Sequence, residues 1–270
     1  MRSFKYIFLF VLLLFGVIVK ADNPQEEFCG LHNSSTQNGE QITYYVYYSV
    51  AGVYINAGTA VFNNTLERLN GKPVFHIVAE GKTNPSYDWV YTVRDRYESY
   101  IDTTNMQPYK FIRNVQEGNY KKYENISFNR VAGTAVTSEG VYKVTPCIQD
   151  VISAIYYARN IDFSKYEKGD KIPFKMFLDN QVYDMYVRFL GREDVKTKYG
   201  KFRAFKFKPL LVKGNIFEGG EKMTAWVTDD PNHILVRAES PIAVGSVKVD
   251  MMSYRNLRYP LTSLKKLKFD

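Results

Sequence analysis

Residues 41–62, QITYYVYYSVAGVYINAGTAVF, decide the fold. Their first half alternates between two sides of an extended chain, with four large residues on one side: Tyr44, Val46, Tyr48 and Val50. A second alternating run starts at Val53, directly after a short Ala51-Gly52 turn. Two alternating runs joined by a tight turn are typical of a β-hairpin. This stretch therefore predicts two antiparallel strands.

The same two-residue period continues toward the C-terminus and is interrupted by turn signals such as Asp179-Asn180 and Tyr199-Gly200. The pattern predicts about 13 short strands at a spacing of roughly 8–12 residues. Such spacing is typical of an all-β, mainly antiparallel meander that closes into a barrel or packs as a sandwich. We expect this β domain to span residues 40–258 as one unit.

One segment follows a helical period instead. Thr145-Pro146 provides a helix start, and apolar residues then recur at helical spacing: Ile148, Val151, Ile152, Ile155 and Tyr156. These positions predict one amphipathic helix over residues 146–159. Residues 84–91 are a weaker candidate for a helical turn.

The N-terminus has the order of a secretory signal peptide. Basic Arg2 and Lys5 precede the apolar run Ile7–Val19, and Val19-Lys20-Ala21 resembles a cleavage site. The run is shorter than the roughly 20 residues that a membrane-spanning helix needs. We expect residues 1–21 to be removed and the mature chain to reach the periplasm or outer envelope without a transmembrane span. An uncleaved anchor is the alternative.

The ends and the charge place further limits on function. Residues 22–39 are polar and rich in turn residues and predict an irregular arm, and residues 259–270 predict a basic C-terminal tail. The net charge of +8 falls to +5 when the leader is removed. Since nucleic-acid binding needs basic residues clustered on one face, we expect no nucleic-acid partner.

The chain has two cysteines, Cys29 and Cys147. In an exported protein, two cysteines with only each other as partner predict a disulfide. The alternative is a thiolate or metal site, because Cys29-Gly-Leu-His32 has ligand-like spacing. One cysteine and one histidine make only half of a zinc site, so we expect no metal and no cofactor.

Charges alternate along residues 94–102, RDRYESYID. On a strand, Arg94, Arg96 and Glu98 share one face, and alternating opposite charges favour cross-strand ion pairs. Asp102 and Asp150 are candidate partners for the two arginines. The alternative is an arginine-lined polar mouth that holds an anionic or sugar-like group.

Aromatic residues make up 16% of the chain, and tyrosines occupy both faces of the first hairpin. Rings on both faces indicate one buried set and another that lines a concavity or a partner surface. The candidate ligand-binding residues are Tyr45, Tyr47, Tyr54, Trp89, Arg94 and Arg96. The sequence contains neither a G-x-S-x-G elbow nor an H-E-x-x-H motif, and we assign no catalytic residue.

Several short segments resemble one family of exported bacterial proteins, the domain of unknown function 3108. The segments occur in order: Gly39–Tyr44, Ala57–Ala60, Val93–Ser99, Glu117-Gly118, Ser153–Tyr157, Gly191–Glu193, Gly200–Phe202 and Trp226–Asp230. Cys29-Gly30 and Cys147 are similar to the version found in Bacteroidetes-type bacteria. The resemblance implies a periplasmic or envelope β domain, and it implies no activity.

Three functions follow from these features. The sequence favours a non-catalytic envelope module that binds an apolar or glycan-like ligand. A scaffold that contacts other envelope proteins through exposed aromatic residues is one alternative. A hydrolase of envelope glycan or lipid, using carboxylates such as Asp95, Glu98 or Asp150, is the other.

Overall fold

The computed structural model describes residues 29–50, 53–213, 219–242 and 244–267. The predicted signal peptide, residues 1–21, and the first part of the arm lie outside the described residues. Within them the chain forms fifteen strands and the α-helix α1, Val151–Ala158. The strands are β1 Gln41–Val50, β2 Val53–Leu69, β3 Lys72–Thr83, β4 Val93–Asp102, β5 Pro108–Glu117, β6 Tyr120–Asn129, β7 Thr134–Thr137, β8 Gly140–Lys143, β9 Lys171–Leu178, β10 Gln181–Lys196, β11 Gly200–Pro209, β12 Thr224–Thr228, β13 Leu235–Pro241, β14 Ser246–Arg255 and β15 Leu264–Leu267.

All fifteen strands belong to one sheet, in the order β8-β7-β6-β5-β4-β3-β2-β1-β14-β13-β12-β11-β10-β9, with β15 paired to β11. Two meanders, β1–β8 and β9–β14, are joined by the antiparallel pairing of β1 with β14. The predicted all-β antiparallel fold is confirmed. A single continuous sheet favours the barrel-like alternative over a two-sheet sandwich.

The sheet curves around a core that contains α1. Residues of β3–β6 in one cross-strand row point inward: Ile77, Ser99, Phe111 and Ile126. We call this side the inner face. It packs with α1 against the aromatic side chains Phe189, Phe205 and Phe207 from β10 and β11. A second core cluster around Tyr44, Trp226 and Met251 adjoins the first at Phe62, which packs against both.

The edges of the sheet also meet. Gln149 forms a bridge to Met176 of β9, and the side chain of Asn180 donates to Glu139 across 2.7 Å. Arg113 of β5 pairs with Asp179 in the β9–β10 turn. These contacts bring the β7–β8 side of the sheet to the β9–β10 side, as a barrel-like fold requires.

The helix begins later than the sequence predicts. The prediction placed its start at Pro146, but Cys147 lies in a turn with φ of +59° and α1 begins at Val151. Asp150 is the N-cap: its carboxylate accepts the backbone N–H of Ile152 and Ser153, each at 2.8 Å. An aspartate carboxylate that accepts two N–H groups without a partner inside the helix is a strong start signal, which accounts for the shift.

The predicted disulfide is present, with the Cα atoms of Cys29 and Cys147 5.3 Å apart. It ties the arm to the segment before α1. The described part of the arm is irregular, and the side-chain oxygen of Asn160 accepts the backbone N–H of Ser34 at 2.6 Å and of Ser35 at 3.1 Å. Thr36 is buried, so the arm is packed against the domain.

Candidate functional site

A row of side chains crosses the face opposite to the inner face. In register, Tyr45 of β1 lies beside Thr59 of β2, Thr59 beside Lys82 of β3, and Lys82 beside Arg94 of β4. Residues directly opposite each other in an antiparallel pair point to the same side of the sheet. We call this side the outer face, and the row lies near the end of the sheet where β1 turns into β2, which we call the upper end.

The row opens into a cleft of about 280 Å³. Its lining residues come from three strands and the start of the β3–β4 loop: Tyr45, Asn56, Gly58, Thr59, Lys82, Thr83, Asn84 and Pro85. Gly58 keeps β2 close to β3, because a Cβ atom there would lie 2.2 Å from the carbonyl oxygen of Lys82. The backbone N–H of Asn84 donates to the carbonyl of Ala57 across 2.8 Å and holds the loop against β2.

A tyrosine wall borders the cleft. The rings of Tyr45 and Tyr47 meet edge-on with centroids 6.1 Å apart. The Lys248 ammonium lies 3.8 Å from the ring centroid of Tyr54, and that of Lys198 lies 5.8 Å from the centroid of Tyr47. Burial, the Asp250 carboxylate and Tyr45 raise the pKa of the Tyr47 hydroxyl, although the nearby Arg237 opposes them. The Tyr47 hydroxyl therefore stays neutral, and the tyrosine wall offers rings for stacking and hydroxyl groups for hydrogen bonds.

Five of the six candidate ligand residues lie in or next to this cleft. Tyr45 lines it, and Tyr47 and Tyr54 extend its wall. Trp89 is 85% exposed in the β3–β4 loop, and its indole N–H donates to Ser86 across 3.1 Å. Arg94 adjoins the lining residue Thr83, whose hydroxyl accepts from its guanidinium at 2.9 Å.

Arg96 lies outside the cleft. It projects from the outer face one residue pair further along β4, where its guanidinium is bound by Glu80 and Glu98. The cleft and its border also contain Asn56, Thr59, Lys82 and Lys248, which no pattern in the sequence indicates. These residues become neighbours only because their strands pair in a particular register. The sequence pattern of a single strand does not show how that strand pairs with the next one.

The two arginines have partners other than those predicted. Arg94 pairs with Asp88, and Arg96 pairs with Glu80 and Glu98, whereas Asp102 binds Arg130 at 2.9 Å. The Arg94 and Arg96 side chains are 40% and 42% exposed. Cross-strand and loop ion pairs are present as expected, but they are open to solvent.

Asp102 and Asp150 serve other purposes. The carboxylate of Asp150 accepts a hydrogen bond from the Ser99 hydroxyl at 2.6 Å and caps α1. Complete burial raises the pKa of the Asp150 carboxyl to about 6, although its hydrogen bonds oppose that rise. All the hydrogen bonds that the Asp150 carboxylate accepts come from within the protein, so the role of Asp150 is structural.

The three carboxylates considered for a hydrolase lie in different places. Asp95 and Glu98 are an odd number of residues apart on β4 and so point to opposite faces, and Asp150 is buried at α1. Burial and the Glu117 charge raise the pKa of Asp95 to about 7. No two of them share a cleft. The described residues also contain no group of three or more His, Cys, Asp or Glu side chains that could hold a metal ion.

The inner face becomes polar toward the upper end. Tyr97, Arg113 and Glu124 form one cross-strand row, and Arg113 pairs with Glu124 at 2.7 Å. Burial raises the pKa of the Glu124 carboxyl, although Arg113 opposes that rise. Because Arg113 also reaches Asp179, this cluster fastens the two sides of the barrel-like sheet together.

These features define a barrel-like β protein with a small cleft on its outer face. The crystal structure of a β-barrel-like protein of domain of unknown function DUF1849 from Brucella abortus is similar, with a TM-score of 0.54 and 8% identity, covering 83% of this chain and 100% of that one. That likeness concerns the fold alone. The family model "Protein of unknown function (DUF3108)" matches residues 43–252, so this chain belongs to that family, as the sequence resemblance implied.

Two further solved structures have lower TM-scores against this chain. An exported protein with a YmcC-like fold from Bacteroides fragilis has a TM-score of 0.34 and 14% identity, covering 84% of this chain and 100% of that one. A lipoprotein from Parabacteroides distasonis has a TM-score of 0.35 and 15% identity, covering 81% and 96%. No curated protein matches this chain. The α-helix of the described ranges lacks the length that a membrane-spanning helix requires.

Proposed function

We propose that this protein is an exported, non-catalytic module that binds a glycan-like ligand of the cell envelope in the Tyr45 cleft. The leader-like N-terminal sequence, with Arg2 and Lys5 before an apolar run, supports export to the periplasm or outer envelope. The observation that carries the binding role is the cleft itself, where a tyrosine ring faces hydroxyl, amide and ammonium groups on neighbouring strands.

The size of the cleft favours a sugar ring over a lipid acyl chain. Ligand clefts commonly measure roughly 300–1,000 Å³, and this one, at about 280 Å³, lies just below that range. It suits a group of the size of one sugar ring and is too small for a lipid acyl chain. Sugar binding commonly needs one flat apolar face and several hydrogen-bonding groups. Tyr45 supplies the ring, and Asn56, Thr59 and Asn84 supply the polar groups.

Titration with defined oligosaccharides tests the proposal. The panel consists of chitotriose, maltotriose, mannotriose and trigalacturonate, measured by calorimetry against the mature protein. We expect at least one to bind. Tyr45→Ala should weaken that binding by roughly tenfold, which corresponds to the loss of one ring contact.

Tyr123→Ala is the matched control, because Tyr123 is 64% exposed on β6, away from the cleft. It should bind like the wild type. Equal weakening by both substitutions, or no binding by any member of the panel, would contradict the proposal. Release of shorter sugars during a long incubation would instead favour the hydrolase alternative.

One observation favours a second candidate function, a protein-docking surface. Large apolar side chains are exposed at the upper end, at the start of β2 and in the loops beside the cleft: Val53, Tyr54, Trp89, Val90 and Val244. Exposed apolar groups that lie together are typical of interaction sites. Trp89→Ser should abolish co-purification of an envelope protein if this surface is the functional one.

A further inference from the structure

We propose that the ligand of the Tyr45 cleft is an acidic saccharide, a sugar that carries a carboxylate or a phosphate group. This inference rests on the proposed function and adds the charge of the ligand. It follows from the ammonium groups around the cleft and from the carboxylates that do not neutralise them.

Three lysines contribute the positive charge. Lys82 lines the cleft, and its side chain is exposed. Lys248 lies over the Tyr54 ring and 5.9 Å from the centroid of Tyr47, and Lys198 lies 5.8 Å from the same Tyr47 centroid. Tyr47 contacts Tyr45, and Tyr45 lines the cleft together with Lys82, so all three lysines border the same tyrosine wall or its cleft.

The nearby carboxylates are engaged with arginines instead. Asp250 accepts two hydrogen bonds from Arg237, at 2.6 and 2.8 Å, and Glu239 lies 3.7 Å from the same guanidinium. Asp88 pairs with Arg94, and Glu80 with Arg96. Hydrogen bonds from Thr83 and Arg94 hold the pKa of Asp88 below its ordinary value, so this carboxylate stays ionised and keeps Arg94 occupied.

The lysines therefore carry the surplus charge of the site. Within the described residues, Lys82, Lys198 and Lys248 form no ion pair with a carboxylate. A cation–π contact covers only one side of an ammonium group and leaves N–H donors on the other. Three such donors around a ring-sized cleft favour an anionic group attached to a sugar ring over a neutral sugar.

Two pairs of probes isolate the charge. Trigalacturonate is compared with its methyl ester, which has the same sugar rings without the carboxylate charge. Mannose 6-phosphate is compared with mannose and tests the phosphate source. We expect the charged member of at least one pair to bind at least tenfold more tightly at low salt. That advantage should shrink as sodium chloride is raised, because salt screens exposed charges.

Lys82→Gln is the informative variant. We expect it to weaken binding of the charged probe by roughly fivefold, the usual size of one exposed charge contact, and to leave the neutral probe unchanged. Lys143→Gln is the matched control, since Lys143 is exposed on β8 and its loss changes the net charge equally. The control should bind both probes like the wild type.

The outcomes separate this inference from the proposed function. If charged and neutral probes bind equally well, and Tyr45→Ala weakens both, the glycan site stands and the acidic ligand is wrong. If Lys143→Gln weakens binding as much as Lys82→Gln, net charge and not the cleft is responsible, and the inference fails. If none of these four probes binds but a neutral panel sugar such as chitotriose does, the acidic ligand is wrong and the glycan site stands. If no sugar of either set binds, both proposals fail.

Discussion

Arg94 and Arg159 carry the same guanidinium in opposite surroundings. The Arg94 side chain is 40% exposed beside Asp88, whereas that of Arg159 is 6% exposed and binds both oxygens of the fully buried Glu40 at 2.6 and 2.8 Å. In the sequence, Arg159 stands at the end of the predicted helix, and its neighbours along the chain do not indicate its partner. Its partner lies 119 positions earlier, and local patterns contain no information about a contact at that separation.

Substitution of the two arginines should therefore have unequal effects. Arg159→Ala leaves the Glu40 carboxylate buried without a counter-charge, and we expect a loss of about 3–5 kcal/mol in the free energy of unfolding. Arg94→Ala removes an exposed pair and should cost about 0–1 kcal/mol. Urea denaturation at pH 7 measures both. Equal losses would show that the Glu40 pair is less isolated from solvent than the structure indicates.

Asp95 should make stability depend on pH. Burial, followed by the Glu117 charge, raises the pKa of this carboxyl to about 7 from an ordinary 3.8, against the weaker effects of Gln116 and Arg113. Below about pH 4 the carboxyl is protonated in both the folded and unfolded chains. Between about pH 4 and 7 only the unfolded chain loses the proton, so the contribution of Asp95 to stability falls as pH rises.

Asp95→Asn should remove that dependence and stabilise the protein at pH 8 by about 1–2 kcal/mol, a modest value because solvent screens a partly buried carboxyl. At pH 4 the variant and the wild type should be nearly equal. Asp150 and Glu124, whose pKa values are also raised, remain in the variant. Their contribution to the stability of the folded chain likewise falls as pH rises. A variant that is less stable than the wild type at pH 8 would contradict this account.

At the scale of elements, the period-two pattern predicts most strands, since alternating burial is imposed by the sheet itself. The helix shows the limit of such patterns. Apolar spacing predicted that Ile155 is buried, but it is 44% exposed, while Ser153 and Tyr157 are fully buried. The capping box of Asp150 and Ser153 fixes where α1 starts, and packing against the inner face then decides which side is covered.

Asp150→Ala should consequently destabilise α1 and its attachment to β4. The change removes the N-cap acceptor and the partner of the Ser99 hydroxyl, and we expect a loss of about 2–4 kcal/mol. Asp150→Asn keeps one side-chain oxygen for the cap and should cost less than half as much. Far-ultraviolet circular dichroism with chemical denaturation measures both variants. Equal losses would mean that the charge of Asp150, and not its hydrogen bonding, supports the helix.

At the scale of the whole molecule, one sheet connects segments that the sequence presents as separate. The arm reaches Asn160 after α1, and the C-terminal segment returns to β11, where Leu264–Leu267 forms β15. The sequence predicted residues 259–270 as a basic tail because Lys265, Lys266 and Lys268 cluster near its end. β15 pairs with the part of β11 that β12 leaves unpaired. Because this edge exists only in the assembled sheet, the sequence of the segment alone does not indicate a strand.

Removal of residues 259–270 should accordingly destabilise the protein. The segment buries part of Leu261 and Leu264 against the second core cluster, and its Ser263 N–H donates to Asp230 at 3.2 Å. The amide of Asn232 donates to the carbonyl of Tyr259 across 3.0 Å. Two partly buried leucines and these hydrogen bonds together should contribute roughly 2–4 kcal/mol.

The truncated chain should still unfold in a single transition, but at a lower temperature, because β11 and the Asp230 turn belong to the same continuous sheet as the rest of the domain. The Lys266→Gln variant is the control, since this side chain is exposed and its substitution keeps the ion pair of Lys265 with Asp194. It should unfold close to the wild-type temperature. If the truncation and the control both unfold like the wild type, residues 259–270 act as the solvated tail that the sequence predicted. If the truncation unfolds in two steps, the sheet is not one cooperative unit.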